Sequence, residues 1–303
     1  MTYLIYLEYN RKKIENQGQS YPHLSIMNKI IEKIKNIYKT FFISDLIQIT
    51  DDIDYKRKRI LRMIVEFKNG NISTGTGFFI NIKGNLLTCF HVISGGDLKI
   101  LRQNDDFISI TGADEHTRLQ EWVNSKIKSI NVELFDGSKI ELELSEFNEQ
   151  YDIALLKIKE VKFLEKIEFC ELNFNQNLKY NDAVFFAGFP LNHSYTGLNT
   201  PFAINTGIVS SFPETEVAGG KYRHAQLNSI NLGGNSGAPL FFKNSNKVIG
   251  IVNGNMNMGS DNILFHEKTK NQAVPGSLRI PLAIAYVTEL KLIKEKSSIF
   301  NSL

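Results

Sequence analysis

The sequence predicts an all-β protein of two antiparallel barrels side by side, with a helical extension over 1–55 and a helix at the C-terminus. Three observations predict it. From about residue 60, short runs of β-branched and aromatic residues alternate with turn signals at roughly the 8–12-residue spacing of sandwiches and barrels. The pattern stops at the polar stretch 171–182 and then restarts, leaving two blocks of about 100 residues, each the size of a domain. Helical periodicity is confined to the two ends. The expected units are therefore 1–55, 56–172 and 173–303.

Each element has its own warrant. In 24–47, Ile26, Ile30, Ile34, Ile37, Phe41 and Ile47 recur near the helical period, with Lys29, Glu32, Lys33, Asn36 and Lys39 between them and Ser25 placed to cap. That apolar face needs cover, either from its own domain or from a partner helix. The basic run "YKRKRILR" (55–62) leads straight into an apolar strand and reads as a solvated strand edge or linker rather than a docking patch. The first block then offers "MIVEF", "TGFFINI", "NLLTCFHV", "SINVELF", "KIELELSEF" and "IALLKI". The second offers "AVFFAGFP", "FAINTGIVSSF", "HAQLNSI", "APLFF", "KVIGIVNGN" and "LRIPLAI". "AIAYVTELKLIKE" (283–295) has helical spacing and is expected to close the domain as a helix.

Composition removes several function classes. Hydrophobic residues make up 42% of the 303, enough to bury a sizeable core. A formal charge of only +3, with acids and bases mixed, gives no reason to expect nucleic acid. Cys89 and Cys170 are too few for a disulfide framework or zinc site, and the six histidines do not cluster at metal-ligand spacing, so neither metal nor cofactor is expected. The first residues lack the charge order and apolar length of a secretion signal, and no stretch approaches the ~18 apolar residues of a membrane span. The expectation is a cytoplasmic protein with reduced thiols, and the richness in Ile, Lys and Asn fits an AT-rich bacterial genome.

Chemistry concentrates in "NLGGNSGAPL" (231–240), where glycines crowd around Ser236. A Gly-rich turn between strands would explain them; so would backbone N–H groups aimed at a developing negative charge. A serine nucleophile needs a base and an orienter for that base. His91 ends the apolar run "NLLTCFH" just before a Gly-rich turn, and Asp152 immediately precedes "IALLKI". Either alone is more simply a structural residue; together with Ser236, in the order His, Asp, Ser, they form a constellation. Other serine-hydrolase folds order these residues differently, and the G-x-S-x-G elbow fails because position 238 is Ala.

These segments resemble the trypsin-like serine peptidases, and most of all the HtrA/Deg-type bacterial branch. "STGTGFFINIKGNLLTCFHVI" is similar to its first catalytic segment, "YDIALLKI" to its Asp segment, "AINTGIVSS" to its T-x-G-I-V-S strand and "GNSGAPL" to its serine loop. "GIVNGN" and "LRIPLAI" resemble the strands that follow, so the likeness runs over roughly 65–290. It implies a double six-stranded, chymotrypsin-like barrel and a His91–Asp152–Ser236 triad, with the backbone N–H groups of Gly234 and Ser236 as oxyanion hole and Gly233 and Gly234 supplying positive φ. It further implies Asn253 beside the catalytic carboxylate, the 253–255 backbone (Asn253, Gly254, Asn255) pairing with substrate, Ile230 at the floor of the specificity pocket and Leu278 on another wall. An apolar floor implies an apolar or small residue before the scissile bond. Ala238 stands where a second Gly is usual, and neither a PDZ domain nor a secretion signal is expected.

The expected partners are a protein or peptide substrate and a regulator acting through 1–55. The regulated form would be a peptidase kept latent in a bacterial defence or stress system. The rival reading is a pseudoprotease, a binding module with an unused cleft.

Overall fold

Short apolar strands, some buried almost throughout and some alternating, build the first barrel. The computed structural model describes residues 55–96, 115–134, 136–190, 202–217, 220–267 and 272–301. The helix expected over 24–47 lies outside them. The chain divides into Met1–Lys56 and Arg57–Leu303, and both barrels belong to the second unit.

Strands β1 (Ile60–Phe67), β2 (Ile72–Phe79), β3 (Asn85–Thr88), β4 (Ile127–Glu133), β5 (Lys139–Asn148) and β6 (Ile153–Ile158) close in the order β1-β2-β3-β6-β5-β4. β5 shows why: Ile140, Leu142 and Leu144 point inward while Lys139, Glu143 and Ser145 face water. The basic run feeds β1. Arg59 pairs with Glu168 at 2.7 Å, and the buried Arg62 reaches Glu133 at 3.5 Å, so these cations hold the strand's edges in place.

A two-residue strand β7 (Glu171–Leu172) leads to the second barrel, formed by β8 (Ala183–Gly188), β9 (Ala203–Ser211), β12 (Ala225–Leu227), β13 (Pro239–Phe242), β14 (Lys247–Glu267) and β15 (Gln272–Glu289). The order β13-β8-β9-β12-β15-β14 closes through β13–β14, and β7 adds to β14 in parallel. A small hairpin of β10 (Glu214–Val217) and β11 (Gly220–Arg223) sits between β9 and β12. The chain thus has the double six-stranded barrel of the chymotrypsin-like fold.

Several elements differ from expectation. Helix α1 (Phe90–Ser94) interrupts the run that carries His91. Helix α2 (Glu115–Lys126) was not expected; its apolar set is only Leu119, Trp122 and Val123, all buried, too few to show a period amid polar neighbours. The C-terminal helix, α3 (Leu290–Lys296), starts seven residues later than 283, because 283–289 belong to β15. Ala285 and Val287 are buried on alternate positions there, and the barrel core takes that strand face in preference to the weak helical period. α3 then buries Leu290 and Ile293 in a core cluster that spans both barrels, and Ser298 Oγ donates to Glu146 Oε1 at 2.7 Å, tying the chain's end to β5. β14 and β15 also run on past the barrel as a long ribbon, where two short strands were expected.

Candidate active site

Pairing of β3 with β6 sets the first half of the site. Thr88 lies opposite Ala154, so the residues just beyond β3 meet those just before β6. Cys89 caps α1 in extended conformation, and Gly95 closes the helix at φ +80°, presenting His91 on a single turn. Asp152 adopts φ +50°, the left-handed region. A turn holds it there: Tyr151 N donates to Asn148 Oδ1 at 3.1 Å and Asp152 N to the Glu149 carbonyl at 3.1 Å. That conformation costs a non-glycine residue about 1–2 kcal/mol. It is offset by two bonds to the carboxylate, each worth about 1.5–3 kcal/mol where the acceptor is ionised. The His91 backbone N–H donates to Oδ1 at 2.9 Å, and Oδ2 meets His91 Nδ1 at 2.6 Å. Burial pulls the His91 imidazolium down, but the charge and hydrogen bond of Asp152 pull it up harder, so it titrates above its ordinary 6.5.

The serine loop is placed by Thr76, a wholly buried residue of β2. Its N–H donates to the Ser236 carbonyl at 2.8 Å, its Oγ1 donates to the Gly234 carbonyl at 2.8 Å, and its carbonyl accepts Thr88 Oγ1 at 2.8 Å. Gly234 (φ +100°) and Gly237 (φ +89°) take the left-handed conformations. The positive φ expected at Gly233 falls instead at Gly237, because the chain must pass hard against Thr76. A methyl on Gly237 would stand 2.0 Å from the Thr76 carbonyl and 3.1 Å from Cys89 N. A methyl on Gly75 would touch both Val92, at 2.7 Å, and the Ser236 carbonyl, at 3.0 Å. β2 is therefore wedged between the helix of His91 and the loop of Ser236, and brings the two together.

The remaining expected residues fare unevenly. Ile230 is 55% exposed beside the serine loop. Asn253 Nδ2 donates to Thr288 Oγ1 at 2.7 Å, and Thr288 Oγ1 donates to the Tyr151 carbonyl at 3.3 Å. Asn253 thus reaches the main chain beside Asp152 through Thr288, where a contact with the carboxylate itself was expected. The Gly254 carbonyl accepts Asn231 Nδ2 at 2.7 Å, which occupies one of the acceptors expected to pair with substrate. Asn255 lies opposite Ala285 on the ribbon. Leu278 lies opposite Ser260, eight positions along β15 from the Tyr286 that faces Gly254.

Thr76 and Thr288 are positioning residues that the sequence reading missed; a buried threonine in a strand carries no signal of its own. Cys89 is another arrival. Its Sγ donates to the Val252 carbonyl at 3.3 Å, and its ligand atom lies within 4.8 Å of those of His91 and Asp152. Linear spacing hid this mixed set, since 89 and 152 are distant in the chain. Burial, then the Asp152 charge, push the thiol well above its ordinary 9.0, so it stays protonated and inert.

Comparison with known proteins places this geometry. No curated protein sequence matches the chain. Among solved structures it is similar to the active form of the Rv3671c protease from M. tuberculosis, with 14% identity, a TM-score of 0.51, and coverage of 81% of this chain and 82% of that one. At that identity the likeness concerns the fold. Residues 75–251 match the trypsin-like peptidase domain, a span that runs from the strand of Thr76 through His91 and Asp152 to the serine loop and β14. By that match over more than half its length, the chain belongs to the trypsin-like peptidase family.

Proposed function

We propose that the protein is a serine endopeptidase that hydrolyses peptide bonds of protein substrates through His91, Asp152 and Ser236. The observation that carries this reading is the 2.6 Å contact between His91 Nδ1 and Asp152 Oδ2, in a cleft shared with the Ser236 loop. With Nδ1–H donated to the carboxylate, Nε2 is the nitrogen left to accept a proton. As Ser236 Oγ attacks the peptide carbonyl, its proton passes to Nε2; collapse of the tetrahedral adduct returns that proton to the leaving amine. Water then repeats the sequence on the acyl-enzyme, releasing the acid and restoring the serine. Asp152 stabilises the imidazolium formed in each half.

The loop geometry supports the expected oxyanion hole. The Asn235 carbonyl turns back to accept Ala238 N at 2.9 Å, and in a trans peptide the Ser236 N–H then points the opposite way. The exposed Ile230 supports preference for an apolar or small residue before the scissile bond. We read the enzyme as latent until a regulator engages 1–55, in a bacterial stress or defence setting. The support is the amphipathic pattern of 24–47 and its place outside both the matched span and the barrel-bearing unit.

A fluorophosphonate probe tests the nucleophile. Wild-type protein is expected to label at Ser236 and to cleave a peptide library. Ser236→Ala should do neither while keeping its melting temperature, because it loses a hydroxyl and no core volume. Wild-type cleavage by Ser236→Ala would refute the assignment. A folded wild-type protein that takes no label even with 1–55 removed would favour the pseudoprotease.

A further inference from the structure

β14 and β15 leave the second barrel together. β12 ends its pairing with β15 at Ala285, and β13 ends its pairing with β14 at Ile251, where the serine loop begins. Beyond those points the two strands pair with each other, from Asn255 opposite Ala285 out to Glu267 opposite Gln272. Among the described residues no other strand joins either of them there. A two-stranded ribbon is marginally stable at best in water; a further strand or a packed face is what secures it. The ribbon's sequence is also not that of a solvated arm, with "NILFH" (262–266) on one strand and "LRIPLAI" (278–284) on the other.

The two open edges are unlike. β15 carries Pro275 opposite Leu264 and Pro281 opposite Asn257. Proline is accommodated in a paired strand where its missing N–H falls on the outer edge, so both blunt the β15 side. β14 has no proline from Lys247 to Glu267 and keeps its backbone donors and acceptors, a template for another strand.

Charge and pattern suit that edge to a second copy of itself. Antiparallel pairing is how one strand edge meets its own image about a two-fold axis. With the axis between Ile263 and Leu264, Ile263 stands opposite the partner's Leu264 and Asp261 opposite the partner's His266, each pair occurring twice. Glu267 falls opposite the partner's Ser260, so no like charges face each other. Apolar and unlike polar pairs directly opposite one another are what stabilise a ladder. The regular register of Ile263–Glu267 against Gln272–Gly276 offers an unbroken edge at this end of the ribbon.

We propose that the protein dimerises through this ribbon, the β14 edges of two copies pairing antiparallel into a four-stranded sheet of order β15-β14-β14-β15. The proposal does not depend on the peptidase reading.

Full-length Ser236→Ala protein is weighed in solution by light scattering and sedimentation from about 1 μM to about 100 μM. Its mass is expected to rise from one chain to twice the 34.5 kDa of a chain. A shortened variant, in which Asn-Gly joins Met258 to Ile280 as a two-residue hairpin loop, should keep its thermal melt and stay at one chain throughout. Amide hydrogen exchange locates the contact: on raising the concentration, Ser260–Glu267 should exchange several-fold more slowly while Ser277–Ile280 is unchanged. If the shortened variant does not fold, the exchange measurement on the parent protein decides. A mass of one chain over the whole range, a shortened variant that doubles equally, or no slowing in Ser260–Glu267 would overturn the proposal. So would a single-chain mass with Ser260–Glu267 slowed only on adding reduced, alkylated casein, which would assign the edge to an extended substrate instead.

Discussion

His91 feels two opposed influences, and the balance between them is measurable. Burial alone would lower its pKa; the Asp152 carboxylate raises it above 6.5. A base must be neutral to accept the serine proton, so activity should fall on acidification with a midpoint above 6.5, and be full only on the alkaline side. Asp152→Asn removes the raising influence and keeps the burial, so the midpoint should move down while kcat falls by about 10⁴. A pH–rate profile of both proteins checks this, and an unmoved midpoint would contradict the assignment of Asp152 as orienter. The same shift bears on stability. The folded state binds the His91 proton more tightly, so that contribution is complete below 6.5 and is lost as pH rises through the folded pKa. His224 acts in the other direction. Burial depresses it to about 4, against the pull of Asp152, so it stays neutral in the folded state and opposes folding only as pH falls from 6.5 towards 4.

Two loops and two strands hold these residues in place, and each makes a demand that a substitution can expose. Gly237 has no room for a methyl, which would meet the Thr76 carbonyl at 2.0 Å, and its φ of +89° suits glycine. Gly237→Ala should cost about 3 kcal/mol or more, combining overpacking with backbone strain, as read by urea unfolding. It should also abolish probe labelling, because the displaced loop carries Ser236. Thr288, 1% exposed, links Asn253 on β14 to the Tyr151 carbonyl at the turn of Asp152. Thr288→Val keeps the volume and leaves Asn253 Nδ2 without this acceptor. The expected result is a loss of about 1–3 kcal/mol in stability and a lower kcat at nearly unchanged KM, since substrate contacts stay intact. A change in KM alone would assign Thr288 to substrate binding.

Over the whole molecule, the cleft depends on bonds that cross between barrels. Thr76 of the first barrel holds the serine loop of the second, and Gly237 N and Cys89 Sγ both donate to the Val252 carbonyl. Both barrels belong to the compact unit Arg57–Leu303. Removing residues 1–55 should therefore leave both barrels folded, with a single unfolding transition retained in the melt. On the latent-enzyme reading, the truncation should change turnover of a peptide library or mass in solution. If turnover, mass and melting temperature all stay the same, 1–55 is a dispensable extension and the regulatory reading fails.

The sequence by itself determined the fold class and singled out the three positions proposed to react. Strand alternation is local, as in β5, where Ile140, Leu142 and Leu144 alternate with polar residues; Ser236 sits among glycines, and His91 and Asp152 stand at the ends of apolar runs. These signals survive in a linear reading because each needs only a few neighbouring residues. Only the tertiary structure decided what holds those positions. Thr76 and Thr288 act through partners more than 100 residues away, which no local window contains. The strand identity of 283–289 was decided by pairing with β12 and β14, against a helical period of its own. The left-handed glycine moved from 233 to 237 because contact with Thr76, not the glycine count, chooses where the chain must turn.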